Sequence, residues 1–115
     1  MTDDPNGVDA NTLQKMMSDG EVLVVDVRET NEYEDEHIPG TLLYPLSFLD
    51  ADLFPKITEK KVVMVCQVGK RSAAAAKQLM AEGLAGVVNL EGGLDAWLEQ
   101  GLETEGAKFE EEFGE

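Results

Sequence analysis

Three short apolar runs constrain this chain more than any other feature. Val22-Leu-Val-Val-Asp-Val27, Val62-Val-Met-Val-Cys66 and Val87-Val-Asn-Leu90 are β-branched and nearly continuous. Strands buried on both faces of a parallel sheet read this way, whereas strands with one wet face alternate. Thr41-Leu-Leu-Tyr44, halted by Pro45, predicts a weaker fourth strand, and a very short edge piece is expected around Val8. Helical segments lie between them, each marked by apolar residues at i, i+3 and i+4. The first carries Leu13, Met16 and Met17, with Asp9 or Asn11 as cap and Gly20 as stop. A second, from Ser72 to Glu82, carries Ala73, Ala76, Leu79 and Met80 and meets Gly83 where a left-handed cap belongs. A third carries Leu94, Trp97 and Leu98 and ends at Gly101; core packing is the expected role of Trp97. Shorter turns are expected from Thr30 to Asp35 and from Phe48 to Leu53. Strands alternating with helices make βαβ units, hence an α/β fold with a parallel sheet, helices on both faces and right-handed crossovers.

Charge narrows the function. The 115 residues hold 9 Lys+Arg against 24 Asp+Glu, a formal net charge of −15. Nucleic acid and anionic lipid are held by basic surfaces, so neither is an expected partner. One cysteine, Cys66, excludes an internal disulfide and a cysteine-cluster zinc site, and one His leaves little else to hold a metal. The start MTDDPNGVDA lacks the basic and apolar stretches of a signal peptide. No window approaches ~18 consecutive apolar residues, so no membrane span is expected. The expected location is a reducing cytoplasm, with the thiol free and a monomer as the default. Residues 103–115 carry six acids and one Lys and are expected as a solvated, partly frayed tail. Phe109 and Phe113, at i, i+4 spacing, leave docking as a helix as the alternative.

Cys66 closes the strongest strand pattern and is followed by Gln67-Val-Gly-Lys-Arg-Ser72 and an Ala-rich helix. Ligands of open α/β sheets bind beyond the carboxyl ends of strands. There the unpaired N–H groups and dipole of a helix start favour an anion beside the sulfur, and the thiolate form of the sulfur itself. Gly69 lets the loop curl so that N–H groups converge, Lys70 and Arg71 add cationic donors, and Ser72 can cap the helix. A lone Cys at a strand end is otherwise a small core hydrophobe. The glycine, the two cations and the helix start favour a reactive thiol.

With that loop in place, the chain resembles the single-domain rhodaneses, the thiosulfate sulfurtransferases. Cys66-Gln-Val-Gly-Lys-Arg-Ser72 is similar to their C-x-x-G-x-R-S loop. Asp26-Val-Arg28 with Glu32-Tyr33 and His37-Ile-Pro-Gly40 resembles their upstream signature, and Gly92-Gly-Leu-Asp-Ala-Trp97 their closing G-G-x-x-x-W. The resemblance spans about residues 8–102, which would make residues 1–115 one rhodanese-like domain with an acidic tail. It implies a central, mostly parallel sheet of about five strands and a two-step sulfur transfer. In that scheme Cys66 attacks the outer sulfur of thiosulfate, a small anionic donor, sulfite leaves, and the persulfide passes to an acceptor. Cyanide, glutathione, a dithiol or a thioredoxin-like protein would serve as acceptor. No cofactor is needed. Candidate substrate-binding residues are Gln67, Val68, Gly69, Lys70, Arg71 and Ser72, with Lys70 and Arg71 steering the donor.

Other polar residues are expected to support the loop. His37 lies in a turn the family uses as scaffold rather than in a Cys–His dyad. Asp26 and Arg28 are expected to form a buried or half-buried ion pair with Glu32 or backbone groups, rather than to act as acid and base. Cysteine phosphatases separate Cys and Arg by one residue more, so phosphatase or arsenate chemistry is disfavoured; a persulfide carrier serving a partner protein is the main alternative. Residues 56–77 hold six cations against Glu59 alone, which predicts a positive site around Cys66 on a negative body.

Overall fold

The computed structural model describes residues 5–113. Its strands are β1 (Asn6–Val8), β2 (Val22–Asp26), β3 (Leu42–Leu43), β4 (Lys61–Val65) and β5 (Val88–Leu90). They form one sheet, parallel throughout, in the order β1-β5-β4-β2-β3. The apolar runs take the three inner positions and the weaker pieces the edges, because only inner strands are covered on both faces. Four helices, α1 (Ala10–Ser18), α2 (Thr30–Asp35), α3 (Lys70–Ala81) and α4 (Gly93–Glu99), connect and cover the sheet.

Alternate residues of the inner strands feed two cores. Val25, Val27, Val62, Met64 and Cys66 meet Ala75, Ala76 and Leu79 of α3 on one face. Val24, Val63 and Val65 meet Leu13 of α1 and Leu94 and Trp97 of α4 on the other. Helices therefore cover both faces, as the continuous apolar runs require. Asp9 caps α1, its side chain accepting from the Thr12 N–H at 2.8 Å.

The structure shifts several boundaries. Helix α3 starts at Lys70 with Gly69 as its cap, so Ser72 lies buried inside the first turn instead of capping it. A 3-10 turn occupies Leu46–Phe48, starting ahead of the expected segment, which itself turns over 51–53. Leu98, expected on the packed face of α4, is exposed, because Leu94 and Trp97 alone take the contact.

The acidic end is not simply solvated. Glu105 pairs with His37 as an antiparallel bridge, with N···O distances of 2.8 and 2.9 Å. The Trp97 indole N–H donates to the Glu103 carbonyl at 2.8 Å. The Thr104 hydroxyl donates to Glu36 at 2.7 Å, and Lys108 meets the same carboxylate at 3.0 Å. Burial opposes ionisation of Glu36, yet these two donors outweigh it and hold its carboxyl below the usual range. A 3-10 segment, Ala107–Phe113, follows, and the Phe109 side chain is partly buried. The end of the expected tail, residues 114–115, lies outside the described residues.

Candidate active site

Cys66 directly follows β4 at the carboxyl end of the sheet and is wholly buried. Its sulfur is both a core atom and a polar one. It packs with the α3-side cluster, while the Gly69 N–H reaches Sγ at 3.1 Å and the Ser72 hydroxyl lies 3.3 Å away. Gly69 takes φ +99°, a left-handed conformation that turns the chain back over the sulfur. Among the described residues the Lys70, Arg71 and Ser72 N–H groups have no acceptor, as expected of a first helical turn. The positive end of the α3 dipole thus lies beside Sγ.

The carbonyls of the same loop are held elsewhere. The Leu94 and Asp95 N–H groups, at the start of α4, donate to the Cys66 and Gln67 carbonyls at 2.8 and 3.0 Å. This approach is so close that a Cβ on Gly93 would lie 2.4 Å from the Cys66 oxygen. With its carbonyls drawn toward α4, the loop turns an amide toward the sulfur.

A buried frame supports this geometry. Asp26 and Arg28, both at most 2% exposed, form a bidentate pair with contacts of 2.9 to 3.2 Å. Arg28 donates further to the Glu36 carbonyl at 2.6 Å and to Gln67 Oε1 at 3.1 Å. Gln67 Nε2 donates onward to Asp95 at 2.7 Å, so this side chain is part of the frame. Val68 is half exposed.

Of the further partners expected for the Asp26–Arg28 pair, backbone groups are met and Glu32 is not. It binds Arg71 through both carboxylate oxygens, at 2.9 and 3.0 Å, instead of joining Asp26 and Arg28. Four of the five Arg28 N–H donors are taken by Asp26, the Glu36 carbonyl and Gln67, and Glu32 turns to Arg71 instead. Hydrogen bonds from Arg71, helped by the Glu29 N–H, overcome burial and hold the Glu32 carboxyl down to about 2. His37 stacks on Tyr33 with ring centroids 3.7 Å apart, and its nitrogens face the Tyr33 carbonyl and Glu105.

The expected cluster of six cations does not form. Lys56, Lys60 and Lys61 line a pocket of about 490 Å³ with Gly83 and Gly86, at the amino end of β4. Five strand steps, about 16 Å, separate Lys61 from Cys66. Lys70 and Arg71 remain at the loop, and Arg71 is neutralised by Glu32. Lys70 is exposed, with no ionic partner among the described residues.

Asn89, Glu36 and Asp95 join the site without having been expected there. Asn89 had a signal: it is the one polar residue inside the run Val87-Val-Asn-Leu90. From β5 its amide nitrogen donates to the Gly69 carbonyl at 3.1 Å, and its amide oxygen accepts from the Ser72 hydroxyl. Among the described residues no group of His, Cys, Asp and Glu is placed to hold a metal ion.

Comparison with known proteins agrees with this geometry. The profile of the Rhodanese-like domain matches residues 9–100. An uncharacterized protein of Synechocystis is 42% identical over 93 residues, which is 81% of this chain but 52% of that one. The chain therefore spans about half the length of this relative. A sulfurtransferase of Allochromatium vinosum is 35% identical over 98 residues, covering 84% of this chain and 92% of its own. A human single-domain sulfurtransferase superposes with a TM-score of 0.76 at 29% identity, covering 84% of this chain and 96% of its own.

Proposed function

Because the chain belongs to the rhodanese-like family, with sulfurtransferases among its relatives, we propose that it transfers sulfane sulfur through a persulfide on Cys66. The Gly69 N–H aimed at Sγ from the start of α3 is the observation that carries this reading. A persulfide is an anion at that same place, and converging donors stabilise it more than they stabilise a neutral thiol.

With thiosulfate as donor, the Cys66 thiolate attacks the outer sulfur, a new S–S bond forms, and the bond to the sulfonate sulfur breaks. Its electron pair leaves with sulfite, so three negative charges enter and three leave. Cyanide then takes the outer sulfur as thiocyanate and returns the thiolate. A dithiol, free or on a thioredoxin-like protein, would instead release sulfide and leave as a disulfide. The thiol must stay reduced, which suits the cytoplasm. Cys66 is buried and Val68, two residues on, is half exposed at the loop where the donor arrives. Lys70 is the cation that meets it first.

Intact-mass measurement after incubation with thiosulfate tests the reading. The expected result is the gain of one sulfur atom, lost on cyanide treatment and absent from Cys66→Ser. A gain that persists in Cys66→Ser overturns it, as does no gain with thiosulfate or with an organic persulfide.

A further inference from the structure

We infer that Asn89 is a positioning residue which claims the one hydroxyl proton of Ser72, holding the resting Cys66 sulfur as a thiol until an anion forms there. The inference rests on the reading of Cys66 as the reacting atom. It follows from the order in which donors and acceptors must be assigned.

The Gly69 carbonyl can only accept, so the Asn89 amide nitrogen must face it, as it does at 3.1 Å. That orientation turns the amide oxygen to Ser72 Oγ. The amide oxygen can only accept as well, so the Ser72 proton points at Asn89. What Ser72 then offers Sγ, 3.3 Å away, is a lone pair. A lone pair accepts from S–H and repels a thiolate.

Ionisation reverses the arrangement. The thiol proton leaves to solvent, the Ser72 hydroxyl swings from Asn89 to the sulfur, and the Ser72–Asn89 bond breaks. The Gly69 N–H serves the sulfur in both states. Ionising Cys66 therefore costs one neutral hydrogen bond, a factor of about three to ten in the thiolate equilibrium. The fold places this brake opposite the α3 dipole, which favours the anion.

The charged groups around the sulfur are Lys70 and Arg71 of α3, the Asp26–Arg28 pair beyond β2, and Glu32 of α2 through Arg71; α4 contributes Asp95, bound to Gln67. From β5 the side chain that bonds the loop is that of the uncharged Asn89. Replacing Asn89 leaves all of these charges in place.

The test compares the alkylation rate of Cys66 by iodoacetamide, a small neutral reagent, across pH, with thiolate ultraviolet absorbance followed in parallel. Asn89→Leu keeps the side-chain shape and removes both the acceptor for Ser72 and the donor to the Gly69 carbonyl. The expected result is a three- to tenfold faster reaction on the acidic side of the profile, with the absorbance appearing at lower pH. In a Ser72→Ala background, where there is no proton to free, the same change should leave only the smaller effect of losing the Asn89 bond to the Gly69 carbonyl. No acceleration in the Ser72 chain overturns the inference. So does an equal acceleration without Ser72, which would mean a loosened loop. Asn89→Asp provides a second reading if Asn89→Leu folds poorly: its stronger acceptor should slow alkylation with Ser72 present more than without it, and equal slowing overturns the inference. The thiosulfate mass gain of the unaltered chain is measured separately, and its failure strikes the sulfur-transfer reading while leaving the alkylation comparison intact.

Discussion

Helices α3 and α4 begin in the same way and do opposite things. Each has a glycine cap in the left-handed conformation, Gly69 at φ +99° and Gly92 at φ +75°, and neither has a side-chain cap. At α4 the first N–H groups are spent on the carbonyls of Cys66 and Gln67. At α3 the matching groups have no protein acceptor among the described residues, and the N–H of its Gly69 cap reaches the sulfur. One helix start is consumed in shaping a loop so that the other stays available within it. A left-handed glycine followed by a helix is thus no sign of a ligand site by itself. What separates the two is whether a neighbouring carbonyl already occupies the N–H groups.

Alanine at Gly93 and at Gly69 tests that division and gives the largest expected effects. A Cβ on Gly93 would lie 2.4 Å from the Cys66 oxygen and 2.6 Å from the Gln67 carbonyl carbon, all backbone. With the positive φ added, Gly93→Ala should cost about 3–4 kcal/mol of stability in urea unfolding. At Gly69 the nearest atoms are the Gly92 nitrogen at 3.3 Å and the Leu90 oxygen at 3.5 Å, so the cost is mainly the φ, about 1–2 kcal/mol. Gly69→Ala should nevertheless slow sulfur uptake by Cys66 the more per unit of stability lost, because it moves the donor on the sulfur. Equal losses of stability from the two substitutions would break the contrast.

Next in size is Glu32, which decides how much charge the start of α3 presents. A folded-state carboxyl held to about 2 contributes stability above its unfolded value near 4.5 and loses it as pH falls between the two. The pair is about one-third exposed, so screening leaves roughly 1 kcal/mol at neutral pH. Glu32→Gln should lose that amount at neutral pH and converge on the unaltered chain as the solution is acidified. It also frees Arg71, so thiosulfate should be used about two- to fivefold more efficiently, as kcat/KM, at low salt. Unchanged efficiency would mean that Arg71 does not sense the donor.

The fold was legible because three β-branched runs can be satisfied only by strands covered on both faces, and Cys66 was legible because it ends one of them. Partner choice was less so. Glu32, Arg28 and Arg71 are all named by the motifs, but which carboxylate meets which guanidinium depends on the contacts of Arg28 with Asp26, Glu36 and Gln67, and no spacing in the sequence encodes that. The C-terminal segment was legible only in part, for a related reason. Beside the partly buried Phe109, which the i, i+4 pair did mark, it docks through Glu105, Thr104 and Lys108, polar contacts that carry no period to read. Asn89 stood out in its strand, yet its meaning required the loop on the far side of it.

The six-cation stretch from Lys56 to Lys77 is the clearest case of sequence proximity failing. A five-residue strand runs through it, and a strand carries charge away from itself at about 3.3 Å per residue. Lys56, Lys60 and Lys61 stay at the amino end of β4 while Lys70 reaches the α3 start. At ~0.1 M salt the screening length is about 10 Å, shorter than the roughly 16 Å from Lys61 to Cys66. The three distant lysines should thus matter little to donor capture, and Lys70 should account for most of its salt dependence. Replacing Lys56, Lys60 and Lys61 together with Gln should leave the slope of kcat/KM for thiosulfate against ionic strength within error of the original. Lys70→Gln should flatten it and lower the low-salt value about twofold. If the triple replacement flattens the slope as much as Lys70→Gln does, the positive region works as one field across the whole sheet, and the electrostatic separation of its two ends fails.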